Sequence, residues 1–111
     1  MSTGRFVLRP SAAPNLDAIE DYLSENASAD TAAAFLESVT DTFRLLAGQP
    51  EMGRSWASSL PRLHDVRAWP LRIHYGYLIL YRPFTAERGI EVLCVLHGAR
   101  DILALLDEDE P

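Results

Sequence analysis

The chain changes its hydrophobic period once. Between residues 16 and 46 apolar side chains recur every three or four positions, and beyond a Gly-, Ser- and Pro-rich stretch at 49–61 they alternate instead. A period near 3.6 lines one face of a helix and a period of 2 lines one face of a strand. Helices therefore come first and most of the sheet afterwards, which specifies an α+β domain and not an alternating α/β one.

A short strand is expected first, at Arg5-Phe6-Val7-Leu8-Arg9, ended by Pro10. Ser11 suits a helix N-cap, and Pro14 is tolerable in a first turn. Leu16, Ile19, Tyr22 and Leu23 keep helical spacing, with Asp17, Glu20 and Asp21 on the other face. Asn26-Ala27-Ser28 breaks this helix, and a second starts near Ser28 or Asp30. Ala32, Phe35, Leu36, Val39, Phe43 and Leu46 form its apolar stripe, Gly48 is placed to close it, and Pro50 follows. So short a linker makes the pair an antiparallel hairpin. Strands are expected at 63–69 (ended by Pro70), at 73–82 (ended by Pro83) and at 90–97, with a turn at Thr85-Ala86-Glu87-Arg88-Gly89. In the last strand Ile90, Val92, Cys94 and Leu96 alternate with Leu93 and Val95, so both faces are apolar and the strand belongs inside the sheet. Ile102, Leu103, Leu105 and Leu106 suggest a short C-terminal helix. The expected order is β-α-α-β-β-β, a helical hairpin on one face of a mostly antiparallel sheet, in one domain over 1–111 whose residues 107–111 are a frayed acidic tail.

Composition narrows the function classes. At 111 residues the chain has room for one modest core. No apolar run approaches the roughly 18 residues of a membrane span, and Arg5 and Arg9 interrupt any signal-peptide layout, so a cytoplasmic protein with no membrane partner is expected. Cys94 is the lone cysteine. A disulfide framework and a cysteine zinc site are both excluded. All ten basic residues are arginine and the net charge is −6, which argues against nonspecific nucleic-acid binding.

No G-x-S-x-G motif activates a serine, no glycine-rich loop cradles phosphate, and His64, His74 and His97 are not spaced as metal ligands. No cofactor or metal is expected. What remains is a polar set in the strand-rich half: Arg67, Arg72, His74, Tyr75, Arg82, His97, Arg100 and Asp101. Such a set suits RNA phosphates with an acid–base nearby, an acidic protein surface, or simply the solvated outer face of a sheet packed on one side.

The run Val92-Leu93-Cys94-Val95-Leu96-His97-Gly98-Ala99-Arg100-Asp101, followed by Ile102-Leu103, resembles the closing strand and turn of the RelE/ParE toxin superfamily of type II toxin–antitoxin systems, in its ParE-like branch. Tyr77-Leu78-Ile79-Leu80-Tyr81-Arg82 is similar to that family's apolar strand ending in Tyr-Arg. Gln49-Pro50-Glu51-Met52-Gly53-Arg54 is similar to its Pro-x-Met-Gly-Arg loop, and Leu16-Asp17-Ala18-Ile19-Glu20-Asp21-Tyr22 to its first-helix signature. Cys94 stands where such relatives often carry arginine.

The resemblance implies a toxin that poisons DNA gyrase by binding, with no catalytic residues of its own, and that is neutralised by a small antitoxin. The alternative it implies is a RelE-like ribosome-dependent mRNA endoribonuclease, with Arg82, His97 and Arg100 as a reduced site. RelE-like nucleases are usually strongly basic and carry a tyrosine or histidine near the chain end. This chain is acidic, and residues 102–111 hold neither. Arg67, Arg72, Tyr75, Arg82, His97, Arg100 and Asp101 are the implied target- and antitoxin-binding residues. Tyr22, Phe35, Phe43 and Leu46 are candidates for the groove that receives an antitoxin helix.

Overall fold

The computed structural model describes residues 4–56, 61–71 and 76–97. Its elements run β1 (Arg5–Leu8), α1 (Ala12–Asn26), α2 (Ala29–Gly48), β2 (Arg54–Ser55), a 3-10 turn (Pro61–Leu63), β3 (Arg67–Pro70), β4 (Tyr77–Pro83) and β5 (Gly89–His97). They form one five-stranded sheet in the order β1-β5-β4-β3-β2. Every neighbouring pair is antiparallel except β1 and β5, which run parallel from Arg5↔Gly89 to Leu8↔Val92. The α+β architecture and the order expected from the changing period are those observed. Arg72, His74, Tyr75, Arg100, Asp101, the expected C-terminal helix and the acidic tail lie outside the described residues.

The hairpin forms where the stripes place it. Only Ala27 and Ser28 separate α1 from α2. Ser28 is extended and accepts a hydrogen bond from Thr31 N–H at 3.0 Å, which satisfies one of the donors a helix start leaves open. Ser11 precedes α1 in helical conformation, and its side chain caps no helix N–H. Gly48 is the last residue of α2 and not its cap. Gln49 N–H reaches Leu45 and Leu46 O, and Arg88 donates to Gly48 O at 2.9 Å from the far end of the sheet. These caps contribute about 1 kcal/mol each. Burial of Phe35, Val39, Phe43 and Leu46 contributes about 1.5–3 kcal/mol per side chain, so packing on the sheet decides where α2 lies.

The sheet is covered on both faces. On one, Leu16, Phe35, Val39, Phe43 and Leu46 of the helices meet Ile79, Tyr81, Ile90, Val92 and Val95. On the other, Leu63, Val66 and Ala68 meet Leu80, Leu93, Cys94 and Leu96, with Trp56 and Leu78 at the margin. The second layer corrects two expectations. Residues 63–66 are not strand: Pro61–Leu63 is a 3-10 turn, and Val66 N–H returns to Leu63 O. Leu63 and Val66 stand three apart and face one core, a helical spacing. The stretch 49–61 also contains β2, which pairs Arg54 with Ala68 and Ser55 with Arg67. Pro70 lies inside β3 rather than after it, beyond the end of β2, where its missing N–H costs no ladder bond on that side.

The face assignment within β5 also changes. Tyr81 is opposite Val92, but Leu80 is opposite Cys94, so Leu93 is an extra residue in a β-bulge. A bulge inverts the inward/outward parity beyond it. Ile90 and Val92 point toward the helices, and so does Val95. Cys94 and Leu96 point to the other face, not to that of Val92. Gly89 opens the strand with φ 143°, and a Cβ there would lie 2.4 Å from Arg5 O, so only glycine admits so close an approach of β1.

Candidate partner-binding site

Three of the predicted polar residues fall within the described part of the sheet, and they do not converge. Arg67 is opposite Tyr81 and reaches back over the loop before β2, donating to Gly53 O at 2.7 Å and Glu51 O at 3.2 Å. The Tyr81 hydroxyl, fully buried, accepts Gly53 N–H at 2.9 Å and donates to Pro50 O at 2.7 Å. Gly53 leaves no space for a side chain: a Cβ would stand 2.4 Å from that hydroxyl. The Pro-x-Met-Gly-Arg loop and the Tyr-Arg strand end are thus one hydrogen-bonded corner. Burial pushes the Tyr81 hydroxyl above its ordinary value of 10.0, while the Gly53 bond and the Arg67 charge pull it back.

Arg82 follows Tyr81 and points to the opposite face. Its Nε meets Asp65 Oδ1 at 3.1 Å in a partly buried ion pair. Near the other end of the strand pair, His97 is opposite Tyr77, and their rings touch in a tilted arrangement with centroids 4.5 Å apart. Five residue steps along β4 separate Tyr77 from Arg82, roughly 17 Å of strand. Arg82 and His97 are therefore apart along the strand and on different faces.

Of the four groove candidates, Phe35, Phe43 and Leu46 are buried in the chain's own core, and Tyr22 alone is presented, 59% exposed. Phe35 packs at a tilt against Tyr77, centroids 5.1 Å apart, and Phe6 against Phe43 at 5.2 Å. Leu45, on the outer side of α2, is also exposed. Around Tyr22 lies a groove of about 450 Å³ between α1 and the end of β5, lined by Asn15, Ala18, Ile19, Tyr22, Tyr77 and His97 among others. Tyr77 is held protonated to higher pH by burial and then by the nearby Tyr22.

Sequence reasoning passed over Asn15. Its side-chain amide pairs with Val95 as a strand would, accepting Val95 N–H at 2.7 Å and donating to Val95 O at 3.0 Å. β1 has ended by then, its last bond to β5 being Arg9 N–H to Val92 O at 2.9 Å. Asn15 thus completes the sheet edge where the chain turns into α1.

Charge is divided between the layers. The helices carry Asp17, Glu20, Asp21, Glu25, Asp30, Glu37 and Asp41 against one arginine, Arg44, which is ion-paired with Asp41 at 3.0 Å. Arg5, Arg9, Arg54, Arg67, Arg82 and Arg88 lie in the strands and their loops beside Glu51, Asp65, Glu87 and Glu91, and Arg5, Arg9 and Arg82 are ion-paired with Glu87, Glu91 and Asp65. Among the described residues no helix is long and apolar enough to cross a membrane.

The solved structure titled "Chromosomal ParDE TA system from P. aeruginosa" contains a similar chain: TM-score 0.66 at 19% identity, covering 86% of this chain and 96% of that one. The likeness is one of fold. No curated protein matches this sequence. The family model described as the ParE toxin of the type II toxin–antitoxin system parDE matches residues 6–102, and by that match the chain belongs to the ParE toxin family.

Proposed function

We propose that this chain is a cytoplasmic toxin that inhibits DNA gyrase by binding it, and that a cognate antitoxin neutralises it by covering the same surfaces. The observation that carries the non-catalytic part is the separation of Arg82 from His97. A nuclease built on this pair needs phosphate contacts and an acid–base within a few ångströms of one scissile group. Here one is ion-paired on the outer face and the other packs at a tilt against Tyr77 on the helix side. Arg67, a further member of the predicted set, holds a loop through two backbone carbonyls. The net charge of −6 supports the same reading, since an enzyme that grips ribosomal RNA must offset phosphate charge.

Family membership and the surfaces available support antitoxin binding. Among the described residues of the predicted set His97 and Tyr22 are exposed, and Arg72, Tyr75, Arg100 and Asp101 remain proposed contacts. An antitoxin segment that folds on binding would lay an amphipathic helix or an extended piece over them.

The deciding experiment titrates purified toxin into gyrase supercoiling and DNA-cleavage assays, with and without antitoxin. Inhibition with trapped cleaved DNA, reversed by antitoxin, is the expected result. No effect at a large excess of folded protein, with mRNA cleaved in a ribosome-dependent assay, would overturn the proposal in favour of an endoribonuclease.

A further inference from the structure

The groove beside Tyr22 has a backbone edge, aromatic walls and a sign of charge, and together they specify an occupant. The edge comes from β5. Leu71 N–H donates to Tyr77 O at 3.0 Å, so the Tyr77 peptide groups are turned toward β3. Facing residues of an antiparallel pair either exchange both bonds or neither. The Tyr77↔His97 pair is thus a non-bonded one, and His97 directs its N–H and C=O away from β4. Val95, two residues earlier, directs its own the same way and is met by Asn15. The His97 N–H is therefore turned to the α1 side, one step past the Asn15 bracket, where His97 lines the groove.

The rings of Tyr22, Tyr77 and His97 line the groove together with Ala18 and Ile19. At 59% exposed, Tyr22 offers a ring face that none of the chain's own core uses. Helical geometry sets Asp21 and Glu25 one step outward from Ala18 and Tyr22, both exposed, and α1 contains no basic residue. A carboxylate entering here meets repulsion. A guanidinium meets ring faces and carboxylates together, and arginine stacks on aromatic rings while keeping its donors free for acids.

We propose that this groove docks an extended, arginine-bearing segment of a protein partner, its backbone running along His97 and its guanidinium seated against Tyr22 with Asp21 and Glu25 at the rim. The inference does not rest on gyrase being the target. It gives the acidic helix layer a contact opposite in sign to the one expected of the arginines on the sheet.

The test is a titration of the full isotope-labelled chain, followed by NMR, with three capped tripeptides: valine-arginine-valine, valine-norleucine-valine and valine-glutamate-valine. The arginine peptide is expected to shift the amides of Ala18, Tyr22 and His97 saturably. Binding should weaken about fivefold with norleucine, weaken further with glutamate, and fall with added salt. Tyr22→Ala should weaken the arginine peptide by about the same factor, and Asp21→Asn with Glu25→Gln should remove most of the salt dependence. These three side chains are exposed, so the folded spectrum should persist in every variant. Equal binding of norleucine and arginine, preference for glutamate, or no saturable shift with any peptide would overturn the proposal.

Discussion

The phenol of Tyr81 lies 2.9 Å from the amide nitrogen of Gly53, and through this contact the strand end fixes the loop that leads into β2. The same oxygen donates to Pro50 O, so one buried hydroxyl satisfies a donor and an acceptor of a loop that makes few bonds of its own. Tyr81→Phe keeps the ring and leaves both groups unpaired. The expected loss is about 1–3 kcal/mol at neutral pH, read by chemical denaturation. A variant as stable as the parent would show that water replaces the hydroxyl at no cost.

The same group makes stability depend on alkaline pH. Its folded-state value is raised above the unfolded 10.0, chiefly by burial. Its contribution is therefore complete below pH 10.0 and is lost as pH rises through the folded-state value, because the unfolded chain releases the proton first. Tyr77 is shifted in the same direction. Stability measured from neutral to alkaline pH should fall above that point, and Tyr81→Phe should flatten the fall without abolishing it.

Gly53→Ala places a methyl carbon 2.4 Å from the Tyr81 hydroxyl and 2.9 Å from Ala68 O. The substitution should cost about 1–3 kcal/mol, the usual range for an overpacked site. Part of that cost should vanish in the Tyr81→Phe background, where the nearest clashing atom is gone. A double-mutant cycle reads this coupling directly, and strict additivity would mean that the clash is relieved by movement of the loop alone.

Asn15→Ala removes both bonds to Val95. Hydrogen exchange at the Val95 amide should accelerate by about one to two orders of magnitude, on a loss of about 1–3 kcal/mol. Asn15→Asp keeps an acceptor for the N–H but offers a second acceptor to Val95 O, so it should restore only part of the protection. Unchanged exchange in Asn15→Ala would show that the edge needs no bracket.

Cys94 is 5% exposed beneath Leu63, Val66 and Leu80. Reaction with a bulky disulfide reagent should follow opening of the outer layer, rising steeply with denaturant in step with global unfolding. Rapid modification under native conditions would show that the turn covering this face opens by itself.

The helices were legible because packing against one large surface imposes a period. Phe35, Val39, Phe43 and Leu46 are the predicted stripe and the observed core. What escaped depends on neighbours distant in sequence. β2 has two residues and exists only because Arg54 and Ser55 find β3. The bulge at Leu93 sits in a strand apolar on both faces, where a slip of parity leaves no mark in composition. The spacing of Leu63 and Val66 carried a usable signal, three residues rather than two. The polar set was legible as residue types and not as a site: Arg67 and Arg82 share a neighbourhood in register, yet backbone carbonyls engage one and Asp65 the other. Asn15 carried no pattern, since its partner lies 80 residues away.

The parallel pairing of β1 with β5 also bears on how the toxin comes into being. Among the described residues β1 pairs with β5 alone, Arg5 being registered to Gly89 across more than eighty residues of sequence. At about 5–20 residues per second of synthesis, several seconds pass between their appearances. During that time the hairpin helices lack Ile90, Val92 and Val95, part of the surface on which Phe35, Phe43 and Leu46 pack. A nascent chain therefore exposes an apolar helix face until β5 emerges, and it assembles its surface late and all at once. Any protein that recognises the assembled sheet and helices of this toxin has its target presented only after β5 has been made.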